Sequence, residues 1–512
     1  MKKYIYLSII AITLLSSCNA YLDTTPSKGD NEVLNNSEQV EALFNNSTIF
    51  NAKASLLVPE SDDIGINTDM YDSLGYADGS YLNGLSYNIE DIENNDYGDD
   101  IWDNEYNKVF TANLVINNID EITDLTSDKR IEYLAQAHFM RAIAMWNLVN
   151  TYCQPYDDEN LKTSGLPLKV STSYEENVTR ATLKETYNFI LADLQEALNT
   201  NKDDIDKRWW VSKPAAEAML ARYYLFTKDY ENAAKYAALA LKSSKASLQD
   251  YNELTTVPVT LQKPHSNEQS NVNYSELYSY SPNEMTEYKE NFYSQFFNIQ
   301  SGIYLIPSDN LISIYDKDDD LRYAQFFNQH GLWETGIGGF GDDIIYHKFH
   351  NSVKGDEIQS GPTVPEMLLT EAEALARNGK YKEAMTYINL LRAKRIKSSS
   401  DNIDLDADNQ QDAIKKILEE RHREMPFVMR WFDIRRLAYN ETAYDDVTVS
   451  RIFYDVKNNI ANTDIKYEYT LPVKSKRYAQ PIVKSEITRS KGQITQNEYD
   501  EKSVIKNIIY NN

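Results

Sequence analysis

The chain has 512 residues, 42% hydrophobic and 25% charged, enough apolar side chain to bury a large core without disulfides or a metal. Lys and Arg number 52 against 78 Asp and Glu, a formal charge of -26, which excludes nucleic acid and anionic lipid headgroups as main partners because both require a basic face. Gly (17) and Pro (14) are too few for an all-β or low-complexity chain, whereas Tyr, at 38 copies, is abundant.

The first residues set the compartment. Lys2 and Lys3 precede an apolar run from Ile5 to Leu15, too short to span a bilayer core of ~30 Å and therefore read as a secretion signal. The run ends in Leu15-Ser16-Ser17-Cys18, which resembles a bacterial lipobox. On that reading residues 1–17 are removed and Cys18 becomes a lipidated N-terminus. Cys153 then remains alone, so no intramolecular disulfide forms. Residues 18–30, polar with one Pro and one Gly, suit a tether that holds a globular body off the membrane.

Beyond the tether, apolar residues recur three and four apart over Trp102 to Ile119, Asp128 to Tyr152 and Thr182 to Leu198, which predicts amphipathic helices. A repeat follows. Adding 151 to a position carries Ala221 to Ala372, Tyr230 to Tyr381, Ala233 to Ala384 and Tyr236 to Tyr387. Each copy reads as two helices joined by a short turn, a tetratricopeptide-like unit that cannot bury its apolar face alone. Further, more degenerate copies are therefore expected in the earlier helical stretches.

Two long stretches, Asp62 to Asp100 and Asp250 to Pro362, lack helical period and are rich in Tyr. Within the second, residues 302–307 and 343–349 alternate like short strands. Loops of this length in a compact protein are functional or disordered, and the aromatic content argues against disorder.

The segment 417–437 (ILEERHREMPFVMRWFDIRRL) carries the pattern E-R-x-x-E-x-x-F, a short turn, then R-W-x-D-x-x-R, supplied by Glu420, Arg421, Glu424, Phe427, Arg430, Trp431, Asp433 and Arg436. It resembles the signature of the SusD/RagB family of Bacteroidetes outer-membrane lipoproteins, although Val428-Met429 departs from the common turn. The helices at 135–152 and 372–395 and the closing segment 481–499 are similar to family segments in the same order. Read physically, the signature is structural: acidic and basic side chains beside Phe427, Trp431 and Phe432 suggest interlocked ion pairs packed on aromatics.

Motifs that invite an enzyme fail on their own chemistry. Gly336 to Gly341 matches GxGxxG, but a strand-like segment follows where a dinucleotide site requires a helix. Asp316, Asp318 and Asp320 begin like a calcium loop that then lacks its Gly and Glu. His347 and His350 lack the HExxH glutamate, no GxSxG is present, and Cys153 reads as a core filler.

The resemblance implies a mostly α fold, a tetratricopeptide-like scaffold with loop-rich insertions carrying short strands. Residues 31–250 form an N-terminal helical region containing the loop-rich segment 62–100. Residues 251–512 form a C-terminal region with a ligand-binding insertion at 251–362 and a helical repeat at 363–437. It also implies a binding protein with no catalytic residue, cofactor or metal, held to the outer membrane by its lipid and facing outward. Its partner is a SusC-like TonB-dependent transporter, and its ligand an oligosaccharide, with oligopeptides as the alternative. A secreted helical-repeat interaction module is a more distant one. Tyr71, Tyr76, Tyr97, Tyr280, Tyr293 and Trp333 are the candidate ligand platforms, since sugar rings stack their C–H faces on such side chains. Replacing Cys18 by Ser is expected to abolish acylation and release the protein from membranes, read by fractionation and detergent partition. A variant that stays membrane-bound contradicts the lipobox.

Overall fold

In the computed structural model, residues 34–46, 51–54, 56–74, 79–95, 100–173, 175–299, 304–335, 344–351 and 355–509 are described. The helical periodicities become a stack. Helix α1 (Asp100–Asn118) packs on α2 (Ser127–Tyr152), and α2 on α3 (Leu183–Ala197). Thr126 caps α2, and Thr182 with Glu185 closes a capping box on α3. The stack continues through α4 (Lys213–Phe226), α5 (Tyr230–Ala240), α6 (Val364–Arg377) and α7 (Tyr381–Arg392), with α8 (Gln410–Glu424) against α6 and α7. Helix α9 (Val428–Leu437) follows a sharp turn at Phe427, whose φ is 63°.

The repeat is kept down to its ends. The caps Ser212 and Thr363, the prolines Pro214 and Pro365, and the helix starts at 213 and 364 all share the same offset. So do Lys228 (φ 64°) and Gly379 (φ 81°), the left-handed residues that turn each hairpin. Ala221, Ala372, Ala233 and Ala384 are fully buried where the helices cross, small enough to let the backbones approach. Trp146 of α2 fills the neighbouring space against Phe226 at 4.9 Å, and Cys153 at the end of α2 is buried as a core group.

Between α5 and α6 the chain leaves the stack as the second long segment, and before α1 it forms the first. The first is less irregular than its composition suggests. It contains the short helices Thr68–Leu74, Gly79–Leu85 and Ile89–Glu93, too brief to display a period of 3.6 in sequence. Of the two expected strands, one is present as the two residues Ile345–Tyr346. Of the other, residues 302 and 303 lie outside the described residues, and 304–307 form no strand, only an isolated bridge from Pro307 to Ile64.

Strands stitch the segments together. Ala52–Lys53 runs parallel to Phe296–Asn298, which pairs antiparallel with Gly355–Gln359. Thr256–Gln262 and Gln269–Ser275 form a hairpin of their own. A three-stranded antiparallel sheet, Val449–Lys457, Ile460–Leu471 and Ile505–Ile509, closes the C-terminal part. Its first turn, Asn458-Asn459, has φ of 52° and 61°, the left-handed pair that a two-residue hairpin requires. Among the described residues no helix is long and apolar enough to cross a membrane.

Candidate ligand face and its anchorage

Most charges of the 417–437 signature are buried in pairs that run outward from it. Arg322 lies 2.8 Å from Asp320, 2.6 Å from Glu420 and 3.2 Å from Glu424. Glu420 also meets Arg392 and Arg423, each at 2.9 Å, and Glu424 meets Arg395, which reaches Glu290 at 2.7 Å. A second chain runs from Arg421 to Asp433, Arg436 and the α6 residue Glu373, each link 2.7 Å long. Trp431 is buried beside Tyr478, and Phe427 packs edge-on to Tyr346 at 5.0 Å. Burial alone raises a carboxyl pKa, but Arg322, Arg423 and Arg392 overrule it at Glu420 and hold that group down to about 2. At Glu424, Arg395, Lys348 and Arg322 likewise outweigh burial and bring it to about 2.

Five consecutive residues, Pro59 to Asp63, form the root of the first long segment, and every one is gripped. Arg451 of the C-terminal sheet binds the carbonyls of Pro59, Glu60 (3.2 Å) and Ser61 (2.7 Å). The buried Glu60 carboxylate accepts from Arg477 at 3.0 Å and Gln480 at 2.6 Å. Asp62 takes both nitrogens of an Arg430 fork, at 3.0 and 2.9 Å. Asp63 shares a 2.6 Å hydrogen bond with His422 and accepts the Phe427 backbone N–H, also at 2.6 Å. That last bond holds the left-handed residue at the signature's turn.

The same root meets the second long segment. Ser308 donates its N–H to the Asp63 carbonyl (2.6 Å) and its hydroxyl to that of Asp62 (2.8 Å), and the Gly65 N–H reaches the Ile306 carbonyl at 2.9 Å. A Cβ at position 65 would stand 2.2 Å from the Pro307 oxygen, so only glycine fits. Beyond this contact Ile66 and Met70 pack with Tyr304, Ile306, Leu332 and Ile345. The two segments therefore converge, one rooted on Asp62 and Asp63, the other on Arg322.

The candidate platforms have different fates around this junction. Tyr71 is half-buried on the C-terminal sheet, edge-on to Phe453 at 5.6 Å and Tyr454 at 5.8 Å. Tyr280 is half-buried beside Tyr288 at 6.3 Å. Tyr293 is 2% exposed and packs against Phe139 of α2 at 4.8 Å, which makes it a core residue and leaves no ring face for a ligand. Trp333 is 7% exposed, tilted against His330 at 4.4 Å and packed with Leu261, Val272 and Tyr274 of the 256–275 hairpin, so its ring surface too is already covered. Tyr76 and Tyr97 lie outside the described residues, as do Cys18 and the glycine-rich run at 336–341.

Asp62, Asp63 and His422 each offer a ligand atom within 4.8 Å of the others, the spacing of a metal site. Their other contacts argue against one. Both oxygens of Asp62 are held by a guanidinium, which repels a cation, and both oxygens of Asp63 are engaged. The calcium-like run is likewise a scaffold. Asp316 accepts the backbone N–H groups of Asp318 and Asp319, and Asp320 caps the helix Leu321–Phe326 while binding Arg322.

Known proteins share this scaffold. Residues 20–225 match the family model described as "Starch-binding associating with outer membrane", and residues 364–499 match the model of the SusD family. The chain belongs to the SusD/RagB family. The SusD-like protein P2 of Formosa agariphila is 26% identical over 409 residues, 70% of this chain and 77% of the relative. A SusD superfamily protein from Bacteroides vulgatus shares the fold with a TM-score of 0.65 at 16% identity, over 91% of this chain and 100% of that one. A laminarin-binding SusD-like protein does so at 0.55 and 16%, over 91% and 99%.

In this SusD/RagB chain the eight signature residues named from sequence lie within or beside the buried pairs. Sequence reasoning missed their partners Asp62, Asp63, Glu373 and Arg395, and the grip of Arg451 and Arg477 on the 59–61 root. The depressed carboxyls set an acid limit. Glu420 and Glu424 titrate near 4.5 when unfolded and near 2 when folded, so their stabilisation is complete above about pH 4.5 and is lost as pH falls towards 2. Urea unfolding at stepped pH is expected to show a steep loss of stability across that window. Glu420→Gln is expected to cost about 3–5 kcal/mol at neutral pH, because it strands buried arginines, and to flatten the acid slope. An unchanged slope in the variant contradicts the assignment.

Proposed function

We propose that the protein is a cell-surface lipoprotein that captures oligosaccharides and delivers them to a partner TonB-dependent outer-membrane transporter, without catalysing a reaction on them. The observation that carries this reading is the convergence of the two Tyr-rich segments on one junction, Ile66 and Met70 against Tyr304, Leu332 and Ile345, outside the helical stack. A scaffold that spends its helices on rigidity and its long segments on one aromatic-bordered face suits a binder better than an enzyme. The name of the matched model, starch-binding and associated with the outer membrane, and the laminarin-binding neighbour support glycan over peptide. Attachment through Cys18 and a body that docks as a lid on a barrel complete the proposal.

Among the aromatic candidates the role is assigned to Tyr71 and Tyr280, with Tyr76 and Tyr97 kept from the sequence. The ligand is sought by affinity electrophoresis against a polysaccharide panel that includes starch and laminarin, with calorimetry on the hits. Alanine at Tyr71 or Tyr280 is expected to weaken binding by ~1–3 kcal/mol, with melting changed little. Both variants binding as wild type moves the site elsewhere, and binding of oligopeptides with no glycan bound replaces the ligand class. Hydrolysis of a bound polysaccharide by the purified protein would overturn the non-enzymatic reading.

A further inference from the structure

A narrow cavity lies under the second segment, where it meets the signature. It offers about 30 Å³ and is lined by Lys348, Asn291, Gln359, Glu424 and the Arg222–Glu366 pair, among others. That is too small for a sugar ring and enough for a single water. Lys348 is 8% exposed, and its ammonium lies over the rings of Phe326 (4.7 Å) and Phe349 (5.5 Å). Among the described residues it has no carboxylate within salt-bridge reach; burial lowers its pKa, and the nearby Glu424 and Glu290 oppose that shift by favouring the charge.

Two of the lining residues carry an acceptor atom without a hydrogen-bond partner. Asn291 Oδ1 and Gln359 Oε1 are buried and receive no hydrogen bond from the protein. The amide nitrogens of both are already engaged, on the carbonyls of Met285 and Gln295, so the oxygens are the ends left over. One donor of charge +1 and two neutral acceptors around so small a space define what fits. A metal cation has no lone pair to take the Lys348 proton and is repelled by Lys348 and Arg222. A halide has no hydrogen to give the two amide oxygens and is opposed by Glu366 and Glu424. Water accepts once, donates twice, and reaches the usual three hydrogen bonds of an internal site.

We propose that this cavity is a built hydration site in which one water accepts from Lys348 Nζ and donates to Asn291 Oδ1 and Gln359 Oε1. The water joins three stretches of chain at residues 291, 348 and 359, and it stabilises a buried ammonium that the fold otherwise leaves on aromatic faces. Its role is to hold the stretches around residues 348 and 359 against the stack. A crystal structure of the protein at about 1.5 Å or better is expected to show a well-ordered peak within ~2.7–3.2 Å of all three atoms. An unoccupied cavity, or a direct bond from Lys348 to Glu290 or Glu424, overturns the proposal. Lys348→Met, close in length and uncharged, is expected to lose that water and to speed amide exchange about tenfold in 344–349 while α4 and α5 keep their protection. Unchanged exchange in a folded variant overturns the anchoring role. If the variant does not fold, the wild-type density decides.

Discussion

The two long segments are rooted on buried ion pairs, most of whose partners sit on different elements. A buried carboxylate or guanidinium is costly unless its partner is in place, so removing one member leaves the other as an uncompensated charge. Glu420 and Glu424 project from α8 into Arg322, Arg392, Arg395 and Arg423, and Arg430 reaches from α9 to Asp62. Apolar contacts tolerate sliding, whereas a forked guanidinium on a carboxylate does not. The pairs therefore set where the two long segments start.

From this follows a division of labour. Helices α4 to α7 repeat a hairpin whose caps, prolines and left-handed turn residues recur at a fixed offset, giving a stack with a predictable surface. Segments without regular structure gain a definite position only where polar clamps hold their roots. The root at 59–63 is clamped from three sides: by Arg451, Arg477 and Gln480 of the C-terminal part, by the signature, and by Ser308. The second segment is held at Asp320 and Arg322. A segment held between two such anchors is fixed at its base by the scaffold.

Much of the scaffold was legible. Period 3.6, Thr182 before Glu185 and the 151-residue repeat are local signals, and each corresponds to an element in place. The anchorage was legible on one side only. Charges crowded at 417–437 show that something is paired there, but Asp63 lies 359 residues from His422, and nothing local in Asp62-Asp63 marks it as a partner. Tyr293 and Trp333 misled because an aromatic in a long segment looks alike whether it faces solvent or folds back, as these do onto Phe139 and His330. The C-terminal hairpin carried a signal that went unread: Asn458-Asn459 between alternating strands.

The central claim is that the signature charges hold the two long segments in place independently of the helical repeat. Amide hydrogen exchange, followed by mass spectrometry on Arg430→Met and Arg322→Met beside wild type, tests it most directly. The account predicts that Arg430→Met deprotects residues 59–74 and Arg322→Met deprotects 304–328, while α4 to α7 exchange as in wild type. Loss of protection spread evenly over the chain, or confined to α8 and α9, would contradict it.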